Sequence, residues 1–217
     1  MTARRMSSHH RAPLSVGRIA AEAIAVADQE GLEALSMRRL ADRLDVEAMS
    51  LYHHLPSKTA LFEAMADRLA GQLPASPDLP WRESLWVAAR GWRDLARQHP
   101  GAFPLLATRA SAAPALLERG ATIITQLRAG GFTPAASAHA FSSFFTSLNG
   151  YLLAAGVPAV SRDVPEAAAD EATLSAAAAV LGEVPMDAWV LTVDAAYEFH
   201  VTMLLDGLQA ALERGAG

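Results

Sequence analysis

The chain has 217 residues, 52% of them apolar and 19% charged, with a net charge of −5 and no cysteine. That length permits one medium domain, or a small one joined to a larger one, and the apolar share is ample for a core. Disulfides, thiolate metal sites and cysteine nucleophiles are excluded, and no run of about 18 uninterrupted apolar residues offers a membrane span.

The charge is unevenly divided. Residues 1–58 carry eight basic and seven acidic side chains, whereas residues 59–217 carry ten and sixteen. Residues 1–14 hold Arg4, Arg5 and Arg11 without an acid and show no apolar period, so they read as a flexible basic arm. No apolar h-region follows, so export is not expected and a cytoplasmic location is the simplest. Over 15–30, Ile19, Ala23, Val26 and Ala27 recur at helical spacing, and Gly31 is placed to end that helix.

A second helix is expected after Ser36, a natural N-cap, with Met37, Leu40, Ala41 and Leu44 as its apolar stripe. Arg38, Arg39, Asp42 and Arg43 then face outward. Asp45 falls at a tight bend, where a short Asx side chain tolerates left-handed backbone. In the next short helix Ala48, Leu51 and Leu55 point inward, leaving Met49, Ser50 and His53 outside with Tyr52 and His54 at the edge. Pro56 stops it, and Ser57 caps a connecting helix over 57–73 built on Leu61, Phe62, Met65, Ala66 and Leu69.

Pro74, Pro77 and Pro80 mark a boundary between a head at 15–73 and a body at 80–217. Helical periods continue over 81–98, 103–108, 112–129, 134–155 and 186–214. Residues 156–170 read as irregular, and the Ala-rich 171–181 as a short helix. No strand pattern survives, so the class is all-α: a three-helix helix–turn–helix head and a larger helical body.

The outward face of the short helix suits duplex DNA. Arg38 is suited to guanine edges and Met49 to thymine methyls, while Tyr52 and Lys58 are placed for phosphates. Pattern alone leaves open a helical hairpin whose polar residues are merely a wet face. The basic arm is either a solvated tail or a minor-groove arm.

These residues carry a resemblance. Leu35-Ser36-Met37-Arg38-Arg39-Leu40-Ala41, Leu44-Asp45-Val46, Ser50-Leu51-Tyr52-His53-His54 and Lys58 resemble the DNA-binding domain of the TetR family of bacterial repressors. The resemblance extends to about residue 212 and is nearest the branch of the tetracycline repressor. It implies DNA contacts from Ser36, Arg38, Ala48, Met49, Ser50, Tyr52, His53, His54 and Lys58. It also implies a palindromic duplex operator and a nucleoid-associated place in a bacterial cytoplasm. Two departures stand out. Asp45 replaces the usual glycine at the bend, and Ala48 and His53 replace a glutamine and a tryptophan of that branch.

In the body, Phe141, Phe144, Phe145, Leu148, Tyr151 and Leu152 cover more than one helical face, as do Trp189, Val193, Ala196, Tyr197, Met203, Leu204, Leu208 and Leu212. Helices 134–155 and 186–214 serve either an intrachain core or a four-helix interface between two copies. The resemblance implies the homodimer. Trp86, Trp92, Leu105, Phe141, Phe144 and Phe145 are candidates to line a small-molecule cavity, with Arg109, Asn149 and His139 as its polar groups. Thr108-Arg109 resembles a pocket-loop pair of the branch. A magnesium-ligating histidine is matched by Leu105 there, and other polar contacts by Ile123 and its neighbours. The implied effector is apolar and needs no metal or cofactor.

Catalysis has little support. His99, His139 and His200 lack metal-site spacing, and no GxSxG, Walker-type loop or GxGxxG occurs. The expectation is a ligand-responsive regulator and not an enzyme. A helical small-molecule binder without DNA, or a small α-helical enzyme, are the rival readings.

Overall fold

The computed structural model describes residues 13–76, 78–109, 112–156 and 194–215, and no strand occurs among them. The expected helix at 171–181, positions 157–170 of the segment expected to be irregular and the basic arm up to residue 12 lie outside those residues, as does the beginning of the last helix before Asp194; Gly156, expected to be irregular, is helical.

Helix α1 (Val16–Glu30) starts where the Ser15 hydroxyl accepts the Arg18 amide at 3.3 Å, and it ends at Gly31, whose φ of 85° suits glycine. Its buried face comprises Ile19, Ala20, Ala23, Ile24, Val26 and Ala27. A single 3-10 turn (Leu32–Ala34) leads to α2 (Met37–Leu44), and α3 (Ala48–His54) follows. Helix α4 (Lys58–Ala70) is capped by the Ser57 hydroxyl, which accepts the Ala60 amide at 3.0 Å. Leu61, Met65, Ala66, Leu69 and Ala70 are its buried side, and α1 lies along it. The expected extension of α4 to residue 73 is not regular helix. Past Gly71 the chain tightens, with Gln72 and Leu73 amides bonding Leu69 and Ala70 carbonyls three residues back before Pro74.

The body contains α5 (Trp81–Gln98), α6 (Phe103–Thr108), α7 (Pro114–Ala129), α8 (Pro134–Gly156) and α9 (Asp194–Glu213). Helix α7 begins two residues later than the period suggested, at a proline whose missing N–H costs nothing in a first turn. Amides just before and within its first turn are satisfied from α4: Glu63 accepts from Ala112 at 3.0 Å and Asp67 from Ala115 at 3.0 Å. A buried polar knot ties α5 to α7 and the linker. The Ser84 hydroxyl donates to Gln126, Gln126 donates to the Ser76 carbonyl, and the Ser76 and Ser84 hydroxyls lie 2.9 Å apart.

Head and body share one continuous apolar cluster, from Ile19 in α1 to Leu205 in α9. They are also joined by polar contacts around Asp28, near the end of α1. Its carboxylate accepts from the amides of Gly101 and Ala102 at 3.2 and 2.9 Å and lies 2.7 Å from His99 Nδ1. The backbones approach so closely here that a Cβ on Gly101 would sit 1.9 Å from the Ala27 carbonyl oxygen. Gly101→Ala is therefore expected to lower the unfolding free energy by about 3 kcal/mol, by forcing the α5–α6 loop off α1. Urea denaturation of the variant measures this; an unchanged midpoint would mean that the junction yields freely.

Candidate nucleic-acid interface and cavity

The bend between α2 and α3 shows why a seven-residue helix is held in a fixed direction. Asp45 takes φ 54° and ψ 53°, and its amide returns to the Ala41 and Asp42 carbonyls. Val46 closes the turn by bonding Ala41 at 3.1 Å. The anchor of α3 is Leu51, fully buried, with Leu55 just past its end. Ala48 and Ser50 are half-buried at its flank. The opposite side carries Met49, 66% exposed, and Tyr52, 43% exposed, with His53 and His54 in the open.

The arginines of α2 divide their work. Arg39 pairs with Glu30, and Arg43 bonds Glu22 at 2.7 Å and Gln29 at 3.1 Å, so both fasten α2 to α1. Arg38 is exposed and has no hydrogen-bond or ion-pair partner among the described residues. Ser36 spends its hydroxyl on the Arg39 amide at 3.2 Å, so its structural job is the N-cap. Lys58 sits at the start of α4 with its ammonium 5.4 Å from the centre of the Phe62 ring.

A cavity of about 680 Å³ opens in the body between α5, α7, α8 and the linker. Trp92, Ile123, Phe141, Phe145 and Asn149 line it, all of them expected from the sequence. Asn149 accepts the Trp92 indole N–H at 2.6 Å and thereby fixes one wall. Trp92 and Phe145 meet edge to face at 5.7 Å, and Phe141 lies 4.8 Å from Phe145.

The other expected lining residues lie elsewhere. Trp86 turns to the Arg90 guanidinium, 5.3 Å from its ring, and Phe144 is packed in the core. His139 is exposed on α8. Leu105, Thr108 and Arg109 border a separate cleft between head and body, where Arg109 stands 4.8 Å from the Phe62 ring. The sequence reading missed the linker residues from Leu73 to Ser76 and, on α7, the stretch from Leu116 to Arg119. Ile123 was expected with its neighbours, but nothing local shows how far along α7 the void extends. Among the described residues no three His, Cys, Asp or Glu side chains are grouped to hold a metal, and no helix is long and apolar enough to cross a membrane.

Helices α8 and α9 are in contact, with the Tyr151 and Tyr197 rings edge to face at 5.6 Å, and Leu148, Leu152, Tyr197, Val201 and Leu205 are buried. The Tyr197 hydroxyl donates to the Ala89 carbonyl at 2.6 Å, and burial raises its pKa, so it stays protonated. Arg82 pairs with Asp206, while Arg93 and Arg97 reach Asp194 at 3.2 and 2.6 Å, holding its carboxyl below its ordinary pKa. The far side of α9 leaves Phe199 and Met203 exposed, at 67% and 54%.

Comparison with known proteins places this architecture. The description "Bacterial regulatory proteins, tetR family" matches residues 15–65, and "Tetracyclin repressor-like, C-terminal domain" matches residues 73–212. The chain belongs to the TetR family. Within that family, DrrR1 of Streptomyces coeruleorubidus, an HTH-type transcriptional repressor, is 35% identical over 135 residues, covering 61% of this chain and 50% of its own length. The chain spans about half the length of the curated relatives it matches first. Among solved structures, ActR from Streptomyces coelicolor with (S)-DNPA superposes with a TM-score of 0.69 at 24% identity, covering 95% of this chain and all of ActR. Mycobacterium smegmatis BioQ gives 0.65 at 26%, covering 91% and 99%, and BioQ is also known with its DNA operator. TetR-family proteins are transcriptional regulators rather than enzymes.

One titrating group lies in the α8–α9 seam. His200 stacks on Tyr151 at 4.6 Å and lies 3.4 Å from the Ser147 hydroxyl. Burial lowers its pKa below the ordinary 6.5. The unfolded chain therefore binds this proton more readily, so stability is lost as the pH falls below about 6.5. His200→Asn is expected to flatten that loss, seen as a smaller difference in melting temperature between about pH 5 and about pH 7.5. An undiminished difference would show that the imidazole is fully hydrated in the fold.

Proposed function

We propose that the chain is a ligand-responsive transcriptional repressor that binds a palindromic duplex operator as a homodimer and is released by an apolar, metal-free effector. The observation that carries this is the outward side of α3. Met49, Tyr52, His53 and His54 stand clear of the core beside an unengaged Arg38, on a helix anchored from behind by Leu51. Such a helix fits a major groove, with Arg38 and Met49 toward base edges and Tyr52 and Lys58 toward phosphates. Ala48 and Ser50 face the groove from the flank.

The division of labour follows the same lines. Residues 15–73 form the DNA-binding head, 80–217 the effector and dimerisation body, and 1–14 a basic arm. Exposed Phe199 and Met203 on α9 continue the apolar character of α8 and give a second copy a surface to cover. Two heads read one face of a palindrome when the recognition helices lie about 34–36 Å apart. The cavity supports the effector role, and ActR, of the same fold, is known with (S)-DNPA and with actinorhodin. Cytoplasmic action at the nucleoid belongs to this reading.

Mobility shifts on the DNA flanking the chain's own gene, run at several salt concentrations, test it. Lys58→Ala and Tyr52→Phe are expected to weaken binding to all sequences alike, and Lys58→Ala to lower the salt slope by about 1. Arg38→Ala is expected to cost about 1–3 kcal/mol and to relax preference at one base position. No salt-dependent shift with any duplex would favour a cavity protein that never meets DNA.

A further inference from the structure

Arg119 occupies two places at once. Its side chain borders the cavity, yet its Nε donates to the Ala70 carbonyl at 2.9 Å and its Nη1 to the Pro74 carbonyl at 2.9 Å. Ala70 is the last residue of α4, the helix that carries the head, and Pro74 lies in the linker that walls the cavity. A cation on terminal carbonyls stabilises a helix end that is otherwise short of donors. Among the described residues no carboxylate meets this guanidinium, and its remaining nitrogen, Nη2, makes no hydrogen bond to them.

Within the lining, Arg119 is the one cation and Glu118 the one acid. The walls are otherwise largely apolar, with Trp92, Phe141 and Phe145 presenting rings. Two neutral carbonyls hold the guanidinium less strongly than a carboxylate does in a bidentate, charge-assisted pair. A flat guest with one carboxylate therefore has a place for its body against the rings and a reason to recruit Arg119.

We infer that Arg119 is the relay between cavity and head, and that the effector is an aromatic carboxylate which draws this side chain off Ala70 and Pro74. The bond to α4 exists only in the empty state and the bond to the guest only in the filled one. That difference is what a ligand needs in order to shift a conformational equilibrium. Once the guanidinium leaves, the Ala70 carbonyl keeps only the Leu73 amide and the linker loses its tether at Pro74, so α4 is freed to shift and the heads change their spacing. This inference rests on the effector role proposed above, but replaces a wholly apolar effector with one that keeps an aromatic body and carries a single carboxylate, and it adds the point of action.

The test uses the full chain with anthraquinone-2-carboxylate and anthraquinone-2-carboxamide, read by quenching of tryptophan fluorescence without DNA. The acid is expected to bind about tenfold more tightly than the amide, and Arg119→Met to erase that preference while a thermal melt shows a folded protein. In a second arm, a duplex selected by the wild-type chain from random sequence is released from it by the acid, whereas R119M, which lacks the grip on Ala70 and Pro74, holds that duplex weakly with or without the acid. If R119M does not fold, R119K serves: it keeps the charge but not the double grip, so it retains the acid preference and shows blunted release. Equal binding of acid and amide, binding of neither, or a preference that survives in R119M would each overturn the inference. Failure to select any duplex, with the acid preference intact, would instead count against the DNA-binding reading alone.

Discussion

Helix α4 belongs to two structures at once, and the rest of the molecule depends on that shared membership. One side, through Leu61, Met65 and Leu69, closes the head over α1. The other side supplies the carboxylates of Glu63 and Asp67 to the start of α7 and offers the Ala70 carbonyl to Arg119. Packed groups of this kind move as units, because interiors at crystal-like density do not deform continuously. In the proposed response, a change in the cavity wall would therefore reach the head as a displacement of α4 rather than as local softening.

In that proposed response the Asp28 junction would be the pivot. It fixes the end of α1 to the amides that open α6, while Gly101 lets the two backbones touch. With α1 held there, the free end for motion is the linker end of α4. That is where the cavity, the Ser76–Ser84–Gln126 knot and Arg119 converge. An apolar cavity beside a buried polar knot gives a guest both a place to bind and a set of hydrogen bonds to rearrange.

Much of this was legible in the sequence because it is decided within one helical turn. Ser36 and Ser57 cap helices by bonding amides three residues on, Gly31 ends α1 with positive φ, and Asp45 takes the left-handed bend. The stripe Met37, Leu40, Ala41 and Leu44 is buried as its spacing demands. What escaped is set by the rotation of one helix against another. Trp86 and Trp92 share α5, yet one leans on Arg90 and the other walls the cavity. An almost wholly apolar helix such as α8 cannot announce which ring faces a void, so Phe144 and Phe145 were indistinguishable. Arg119 escaped because its acceptors lie 49 and 45 residues away, beyond any local pattern.

The chain contains no cysteine, so a single Glu47→Cys, at an exposed position given no DNA contact, carries one spin label at the start of α3 in each copy. Electron–electron distance measurement on the labelled protein, saturated with a duplex it has selected, gives the separation of the two reading helices. A narrow distribution centred at about 35 Å, one turn of the double helix, is the expected result. Absence of dipolar coupling, or a broad distribution far from that value, would contradict a paired reading head held in register by the shared α4.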